Sequence, residues 1–230
     1  HLSLRRQRQM CIRDSITAVS GIGFHHNNGA TGDKLLPESM GSGVAFVDFD
    51  GDGDQDLLFV NGISWPWDND KTPEHELTTA ALYRNNGKGE FEDVSKDSGL
   101  DVGLYGMGVA IGDYDNDALP DIYLTAVGAN RLFRNLGNGK FVDVSMESGI
   151  GEQPYYGLSA TWWDYNNDGW PDLYVSNDFH TPDHLYRNNG DSTFTEVTED
   201  ALAYTSWNSM GSDFSDINND GLFDYLRTDM

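Results

Sequence analysis

An acidic nine-residue loop occurs four times in this chain, and its oxygen-bearing side chains have the spacing of a calcium site. The loop follows the template D-x-[DN]-x-D-[GA]-x-x-D and recurs after 65, 51 and 52 residues. Side-chain oxygens at the first, third, fifth and ninth positions, with a turn-forming residue at the sixth, suit a hard cation that takes six to eight oxygen ligands. The seventh position varies freely, which is what a main-chain carbonyl ligand permits.

The pattern therefore predicts up to four Ca2+ ions as the cofactor of this protein. The predicted ligands are Asp48, Asp50, Asp52, Asp54 and Asp56 in loop one, Asp113, Asp115, Asp117, Leu119 and Asp121 in loop two, Asp164, Asn166, Asp168, Trp170 and Asp172 in loop three, and Asp216, Asn218, Asp220, Leu222 and Asp224 in loop four.

These loops differ from the EF-hand loop, which continues to a bidentate glutamate at its twelfth position and then enters a helix. The twelfth position here is occupied by Phe59, Leu124, Val175 and Arg227. The segments that follow the loops are short, apolar and rich in branched or aromatic residues, which is typical of strands. The ninth-position aspartate is thus predicted to be the first residue of a strand.

Two departures from the template predict sites of unequal affinity. Ala118 replaces the loop glycine, so loop two is strained by roughly 1 kcal/mol if this position needs a positive φ. Asn166 and Asn218 leave loops three and four with three carboxylates each. Fewer charges should weaken calcium binding, so loop one is predicted to be the tightest site.

Each loop belongs to a repeat of about fifty residues that is predicted to contain four short strands. An Asn-Gly pair between two alternating apolar runs is a strong hairpin signal, and it joins the last two strands in 82–94, 132–144 and 185–197. Four-stranded sheets repeated at this period are typical of propeller blades. The predicted fold class is all-β, a β-propeller of four-stranded blades with the calcium loops between first and second strands.

The predicted domain covers residues 16–230, with repeat units at about 41–100, 108–150, 157–203 and 209–230. Residues 1–15 lack repeat character and contain four of the 14 basic residues and the only cysteine, so they are interpreted as a non-native or disordered leader. Ile16 to Val19 is predicted to be the last strand of a preceding unit. The fourth unit reaches only its second strand, which favours a fragment of a larger propeller.

These motifs resemble a known family. The acidic loops, with the flanking pieces Leu82-Tyr-Arg-Asn-Asn-Gly and Phe141-Val-Asp-Val-Ser, resemble FG-GAP/VCBS repeats, the calcium-binding blades of integrin alpha propellers and of many secreted bacterial proteins. The opening at Gly21–Ala30, followed by Leu36–Ala45, is similar to cartilage acidic protein relatives, which usually carry a further ASPIC/UnbV domain. The resemblance implies a propeller of commonly seven blades. It implies no particular activity, since such blades serve adhesion, display and spacer roles.

The composition is strongly acidic, with a formal net charge of −24 and 15 of the 38 acidic residues inside the four loops. Four bound Ca2+ ions would bring this charge to −24 + 8 = −16, which still argues against nucleic acid and anionic membrane surfaces as partners. Clustered carboxylates repel one another, so calcium is predicted to contribute to folding stability. Loops of this kind are expected to bind calcium at about 10⁻⁵ to 10⁻³ M, the range of extracellular modules, which favours an exported protein.

The sequence leaves three functions open. The main hypothesis is an extracellular calcium-binding propeller module for adhesion or for protein or glycan binding, in which calcium is structural. The alternatives are the propeller part of a secreted carbohydrate-acting enzyme, such as a polysaccharide lyase, and a structural spacer.

No catalytic residue is predicted. His180 and His184 have a spacing that suits zinc on a helix, but Pro182 lies between them, so they are interpreted as loop residues, as are His25, His26 and His75. The repeated Arg84, Arg134 and Arg187 are predicted to be structural. The longer first repeat places two tryptophans, Trp65 and Trp67, in a connection that could present a partner-binding loop or cover a neighbouring blade.

Overall fold

The structure is a computed structural model that describes residues 15–30, 32–65, 79–151, 154–179 and 181–230. Within these ranges the chain is almost entirely β, with one short helix, α1 (Thr198–Ala201), and a single 3-10 turn at Leu36–Ser39. The strands are β1 (Val44–Val47), β2 (Asp56–Phe59), β3 (Ala81–Asn85), β4 (Phe91–Asp93), β5 (Tyr105–Gly112), β6 (Asp121–Ala129), β7 (Arg131–Asn135), β8 (Phe141–Asp143), β9 (Pro154–Trp163), β10 (Asp172–Asn177), β11 (His184–Asn188), β12 (Phe194–Glu196), β13 (Ser209–Ser215) and β14 (Asp224–Asp229).

The strands form consecutive antiparallel meanders, which we call blades one to four. Blade one is β1-β2-β3-β4, blade two is β5-β6-β7-β8, blade three is β9-β10-β11-β12, and blade four is the pair β13-β14. The ends of β6 and β9 also pair, with Val127 opposite Tyr156 and Ala129 opposite Pro154, so blades two and three share one curled sheet. This architecture confirms the predicted all-β fold and is that of a partial β-propeller.

The acidic loops lie where the sequence predicts them, between the first and second strands of each blade. The ninth-position aspartate is the first residue of β2, β6, β10 and β14. In register, Asp56 lies opposite Val47, and Asp121 lies opposite Gly112. Each loop therefore begins directly after its first strand and ends at the start of its second.

The hydrophobic core lies between successive blades, because side chains that alternate along each central strand point to opposite neighbours. On β6, Ile122 and Leu124 pack in a cluster with blade one, whereas Tyr123 packs in a cluster with blade three. The cluster between blades one and two also contains Val47, Phe49, Leu58, Leu82, Phe133 and Phe141. That between blades two and three contains Tyr114, Leu132, Leu173, Val175, Tyr186 and Phe194. Blades three and four meet at Tyr174, Leu185, Phe214 and Tyr225.

The prediction of a strand at Ile16 to Val19 was wrong, because this segment forms a turn. The amides of Val19 and Ser20 both donate to the carbonyl of Ile16 at 2.9 Å. The turn brings the Ser20 carbonyl to the amide of Phe91, at 2.6 Å. The carbonyls of Ser98 and Ser148 accept in the same way from the fourth strands of blades two and three, at 2.7 and 2.8 Å. The predicted equivalence of these segments is thus correct, although they are turns, and the two later ones connect successive blades.

Two predicted features fall mainly outside the described residues. The predicted leader at residues 1–15 is described only at Ser15, and the first-repeat insertion only at 61–65 and 79–80. β5 and β9 begin at Tyr105 and Pro154, slightly before the predicted unit starts at 108 and 157.

Candidate metal centres

The first aspartate of each loop folds the loop around its own carboxylate. In loop one, Asp48 Oδ1 accepts hydrogen bonds from the amides of Gly51 and Asp52 at 2.9 and 3.1 Å, and Oδ2 accepts from Gly53 at 3.0 Å. The first aspartates of the other loops make the same bonds to the fifth and sixth amides, at 2.9 to 3.0 Å, namely Asp113, Asp164 and Asp216. The loop conformation is therefore built by backbone donors and one carboxylate.

The ninth aspartate is fully buried in the first three loops and ties the loop to the third strand. Asp121 Oδ2 accepts from the amide of Tyr114 at 3.1 Å, and its Oδ1 accepts from the amide of Asn135 at 2.8 Å. Asp56 and Asp172 make the equivalent pairs of bonds, at 2.7 to 3.2 Å. In loop four, Asp224 Oδ2 accepts from the amide of Ile217 at 3.0 Å.

Burial of these carboxylates disfavours their charged form. It raises the pKa of Asp121 to about 7 and that of Asp172 to about 6, although backbone amide donors oppose the shift. Burial also raises the pKa of Asp56, and the nearby Asp50 and Asp52 add to that shift. A cation close to these groups would favour their charged form.

Loops one and two each gather three carboxylates closely enough to share one cation. Oxygens of Asp48, Asp50 and Asp56 lie within 4.8 Å of one another, and so do oxygens of Asp113, Asp115 and Asp117. The third-position oxygens Asp50 Oδ1 and Asp115 Oδ1 are buried and accept no hydrogen bond. Buried polar atoms normally have a partner, so these two unpaired oxygens fit a hard cation that binds oxygen ligands.

The carboxylates of loop one are already partly neutralised by a side chain. Arg84 Nε donates to Asp50 Oδ2 at 3.0 Å, and its guanidinium lies 5.6 Å from the centre of the Phe49 ring. This contact agrees with the predicted structural role of the repeated arginines. In loop two, burial raises the pKa of Asp115. The charges of Asp117 and Asp113 raise this pKa further, whereas a backbone hydrogen bond from Asp117 and the charge of Arg134 oppose the shift.

Loops three and four are arranged differently because asparagine occupies their third position. Asn166 Nδ2 donates to Asp168 Oδ2 at 2.7 Å, and Asn218 Nδ2 donates to Asp220 Oδ2 at 3.0 Å. Among the described residues, neither loop brings three acidic side chains together as loops one and two do. The predicted order of affinities, with loop one tightest, stays a prediction.

The residues at the seventh position, predicted as carbonyl ligands, also make side-chain contacts that the sequence pattern did not indicate. A methyl group built on Gly87 would lie 2.5 Å from Asp54 Oδ2, and one built on Gly190 would lie 3.0 Å from Trp170 Nε1. Both glycines belong to the Asn-Gly turns between third and fourth strands. In blades one and three the seventh side chain thus packs closely against the hairpin of its own blade, whereas in blade two a Cβ at Gly137 would lie 3.9 Å from Leu119 Cδ1.

A second contact missed from the sequence joins loop one and loop two to the blade that follows each of them. Asn135 Nδ2, on β7, donates to the carbonyl of Phe49 in loop one at 3.0 Å and to the carbonyl of Pro120 in loop two at 3.1 Å. Asn188 Nδ2 repeats this with Tyr114 and Pro171, at 2.7 and 3.0 Å. The recurring Arg-Asn pair at the end of each third strand was the available signal.

The histidines considered for zinc are only partly described, since His75 and His180 lie outside the described residues. His184 Nδ1 lies 3.5 Å from Glu196 Oε1, and burial lowers the pKa of its imidazole while Glu196 opposes this shift. His26 Nε2 lies 2.8 Å from Ser42 Oγ.

Comparisons with known proteins identify the repeat. The FG-GAP-like repeat matches three times, at residues 67–124, 114–175 and 164–226, and so covers more than half of the chain. No curated protein matches. A similar solved structure is that of an Agrocybe aegerita lectin studied for specific recognition of non-reducing terminal N-acetylglucosamine. It is 20% identical, with a TM-score of 0.46, over 79% of this chain and 45% of that chain.

The chain thus spans less than half the length of that lectin. The narrower resemblance to cartilage acidic protein relatives stays a prediction. Among the described residues no helix is long and apolar enough to cross a membrane. On the three repeat matches, and with the blades described above, the chain belongs to the FG-GAP-like repeat family.

Proposed function

We propose that this chain is a calcium-stabilised β-propeller binding module of an exported protein, extracellular or at the cell surface, in which the ions serve structure. The observation that carries the proposal is the unpaired, buried Asp115 Oδ1 beside the carboxylates of Asp113 and Asp117. Three acidic side chains held this close repel one another by about 1 to 4 kcal/mol per pair, depending on screening. A bound Ca2+ would supply the opposite charge and the missing partner for the buried oxygen.

The residues of loop two would contribute different ligand atoms to the ion. Asp113 already accepts two backbone amides, so its carboxylate both shapes the loop and contributes oxygen. Asp115 and Asp117 would contribute the further side-chain oxygens, and Leu119 its carbonyl. Loop one gathers its first, third and ninth carboxylates, those of Asp48, Asp50 and Asp56, while loops three and four replace one carboxylate with an amide oxygen.

The proposed partner is a protein or glycan, with neither nucleic acid nor a membrane as a partner. The strongly acidic surface supports the exclusion of nucleic acid. The weak to moderate affinity expected of these loops supports an extracellular site, where calcium is at millimolar concentration. Calcium would then support binding of the partner indirectly, because the bound ions make the blades more rigid.

Thermal unfolding of the full chain tests the proposal, first free of calcium and then with 1 mM CaCl₂ or 1 mM MgCl₂. If one site has a Kd near 10⁻⁵ M, calcium at 100 times Kd adds about 2.7 kcal/mol. For a chain of this size 1 kcal/mol shifts the midpoint by about 2–4 °C, so a rise of about 5–11 °C is expected with calcium and little with magnesium.

The variant Asp115→Asn makes the test specific for the site. Loops three and four carry asparagine at this position, so the fold tolerates it, and the calcium-free midpoint should stay the same or rise as repulsion falls. The calcium-dependent rise should shrink. The control Asp101→Asn removes an equal charge at an exposed residue outside the loops and should leave the rise intact. An absent rise, an equal rise with magnesium, or an unchanged rise in Asp115→Asn would refute calcium binding at loop two.

A further inference from the structure

A cleft of about 770 Å³ lies at the end of the blades opposite the acidic loops. Its walls come from the start of β5, the end of β6 and the start of β9, together with the segments 35–37 and 63–65. Loop two joins the end of β5 to the start of β6, so the cleft and the acidic loops occupy opposite ends of these strands. The volume falls within the range of about 300–1,000 Å³ typical of small-molecule sites.

One wall of the cleft is a fixed pair of stacked rings. The rings of Trp65 and Tyr105 lie 4.3 Å apart at an angle of 17°, and both residues are buried. Trp65 Nε1 donates to Glu38 Oε1 at 3.0 Å, and Tyr105 Oη donates to the carbonyl of Asn28 at 2.6 Å. The indole and the phenol thus have their polar atoms satisfied and present apolar surface to the cleft.

A second wall, across β6 from the first, is aromatic as well, and the strand between the walls has small side chains. Tyr156 and Phe179 form an edge-to-face pair with ring centres 6.0 Å apart, and Tyr156 is 42% exposed. Between the walls, β6 ends in small residues that include Gly128, where an added Cβ would meet no atom within 4 Å. The lining therefore offers a flat apolar group two aromatic surfaces, with small side chains on the strand between them.

The cleft has one charged side chain among the described residues that line it, Arg131. Its Nε lies 3.3 Å from Asp143 Oδ2, and its Nη1 donates to the carbonyl of Asn130 at 3.3 Å. A guanidinium has five N–H donors, so these two contacts leave donors for a further partner. Arg131 thus brings a positive charge, shared with Asp143, to the lining of a cleft in a chain with a net charge of −24.

Arg131 does not occupy the position at which arginine repeats. It is the first residue of β7, and the first residues of β3 and β11 are Ala81 and His184. By contrast, Arg84, Arg134 and Arg187 recur at one position of every third strand. His184 pairs with Glu196 in blade three as Arg131 pairs with Asp143 in blade two, so both residues link the third and fourth strands of their blades. Arg131 differs in that it also lines the cleft and keeps its charge at any pH.

We propose that this cleft binds a small, largely apolar ligand with a flat ring and one anionic group, such as an aromatic carboxylate, whose charge pairs with Arg131. The proposal goes beyond the structural calcium sites and does not depend on them. The few polar side chains of the lining disfavour a sugar, because its hydroxyl groups would lose their hydrogen bonds to water without replacement. Charge complementarity and aromatic walls favour the aromatic anion.

Isothermal titration of the full chain in millimolar calcium with two matched probes tests the proposal. Naphthalene-2-carboxylate carries the ring and the charge, and naphthalene-2-carboxamide carries the ring alone. The carboxylate is expected to bind about tenfold more tightly, the lower end of what a hydrogen bond to a charged group contributes. In Arg131→Gln the two probes should bind equally, at the affinity of the amide.

Two variants that fill the cleft test its location. Val127→Trp should abolish binding of both probes, and Ala129→Phe serves the same purpose if the first variant unfolds at a lower temperature than the unaltered chain. The proposal is overturned if neither probe binds at millimolar concentration, if the folded filling variants bind as before, or if Arg131→Gln keeps the preference for the carboxylate. Tighter binding of methyl β-glucoside than of naphthalene-2-carboxylate would also overturn it.

Discussion

Replacing Ala118 with glycine is expected to stabilise the protein, although the change removes a methyl group. Ala118 has φ = 70°, and the glycines at the same loop position, Gly53, Gly169 and Gly221, have φ of 92°, 87° and 85°. This backbone conformation costs a residue with a Cβ about 1–2 kcal/mol. Relative to alanine, glycine lowers the free energy of unfolding by roughly 0.5–1 kcal/mol, because the unfolded chain has more conformational freedom. The net gain is therefore about 0.5–1 kcal/mol, or a rise of about 1–4 °C in the midpoint.

The assay is thermal unfolding of calcium-free protein, with Gly169→Ala as the reciprocal control. A Cβ at Gly169 would meet no atom within 4 Å, so this control adds backbone strain without a steric clash. Its midpoint should fall by about as much as that of Ala118→Gly rises. A lower midpoint for Ala118→Gly, or an unchanged one for Gly169→Ala, would refute the account of strain at this position.

Three further predictions concern the contacts that build the loops. The pKa of Asp121 is about 7 in the folded chain, above its ordinary value of 3.8, so its contribution to stability is present below pH 3.8 and lost as the pH rises through 7. Calcium-free protein should therefore unfold at a higher temperature at pH 5 than at pH 7.5, and Asp121→Asn should flatten this dependence. Asp48→Ala should lower the midpoint even without calcium, since three backbone amides lose their acceptor, each at about 1 kcal/mol. Asn135→Ala should cost about 2–3 kcal/mol in the free energy of unfolding by denaturant, and the control Asn85→Ala less, because Asn85 Nδ2 bonds only the carbonyl of Gln55 in its own blade.

Each of these predictions has a result that contradicts it. A calcium-free midpoint that rises from pH 5 to pH 7.5 would mean that the buried carboxylates do not control the pH dependence. An unchanged calcium-free midpoint in Asp48→Ala would show that the loop keeps its shape without that carboxylate. Equal losses in Asn135→Ala and Asn85→Ala would show that the bond between blades adds nothing to stability.

Features that depend on local patterns could be predicted from the sequence, whereas features that depend on several blades could not. The position of Asp121 at the start of a strand follows from the apolar run after it, and the hairpins follow from the Asn-Gly pairs. The turn at Ile16 to Val19 was mistaken for a strand because its apolar residues match a strand pattern, while its backbone bonds lie within the turn.

The cleft could not be predicted because its lining comes from segments far apart in the chain. Trp65 and Arg131 come from different blades, and periodicity within one repeat carries no information about their separation. The bond from Asn135 to Phe49 has the same origin, since the recurring asparagine reveals a common role but not the partner that accepts its hydrogen bond. The sequence shows that position 166 has no carboxylate, but the hydrogen bond from Asn166 to Asp168 could be found only in the structure.

The asparagine bonds between blades mean that a repeat in the sequence is not the unit of stability. Since Asn135 holds the carbonyl of Phe49 and Asn188 that of Tyr114, the turn that carries one acidic loop is completed by the repeat that follows it. In repeat proteins stability divides into the contribution of each repeat and that of each neighbouring pair. A single repeat transplanted into another protein would leave this acceptor unsatisfied, so the smallest portable piece of this architecture is a pair of successive repeats.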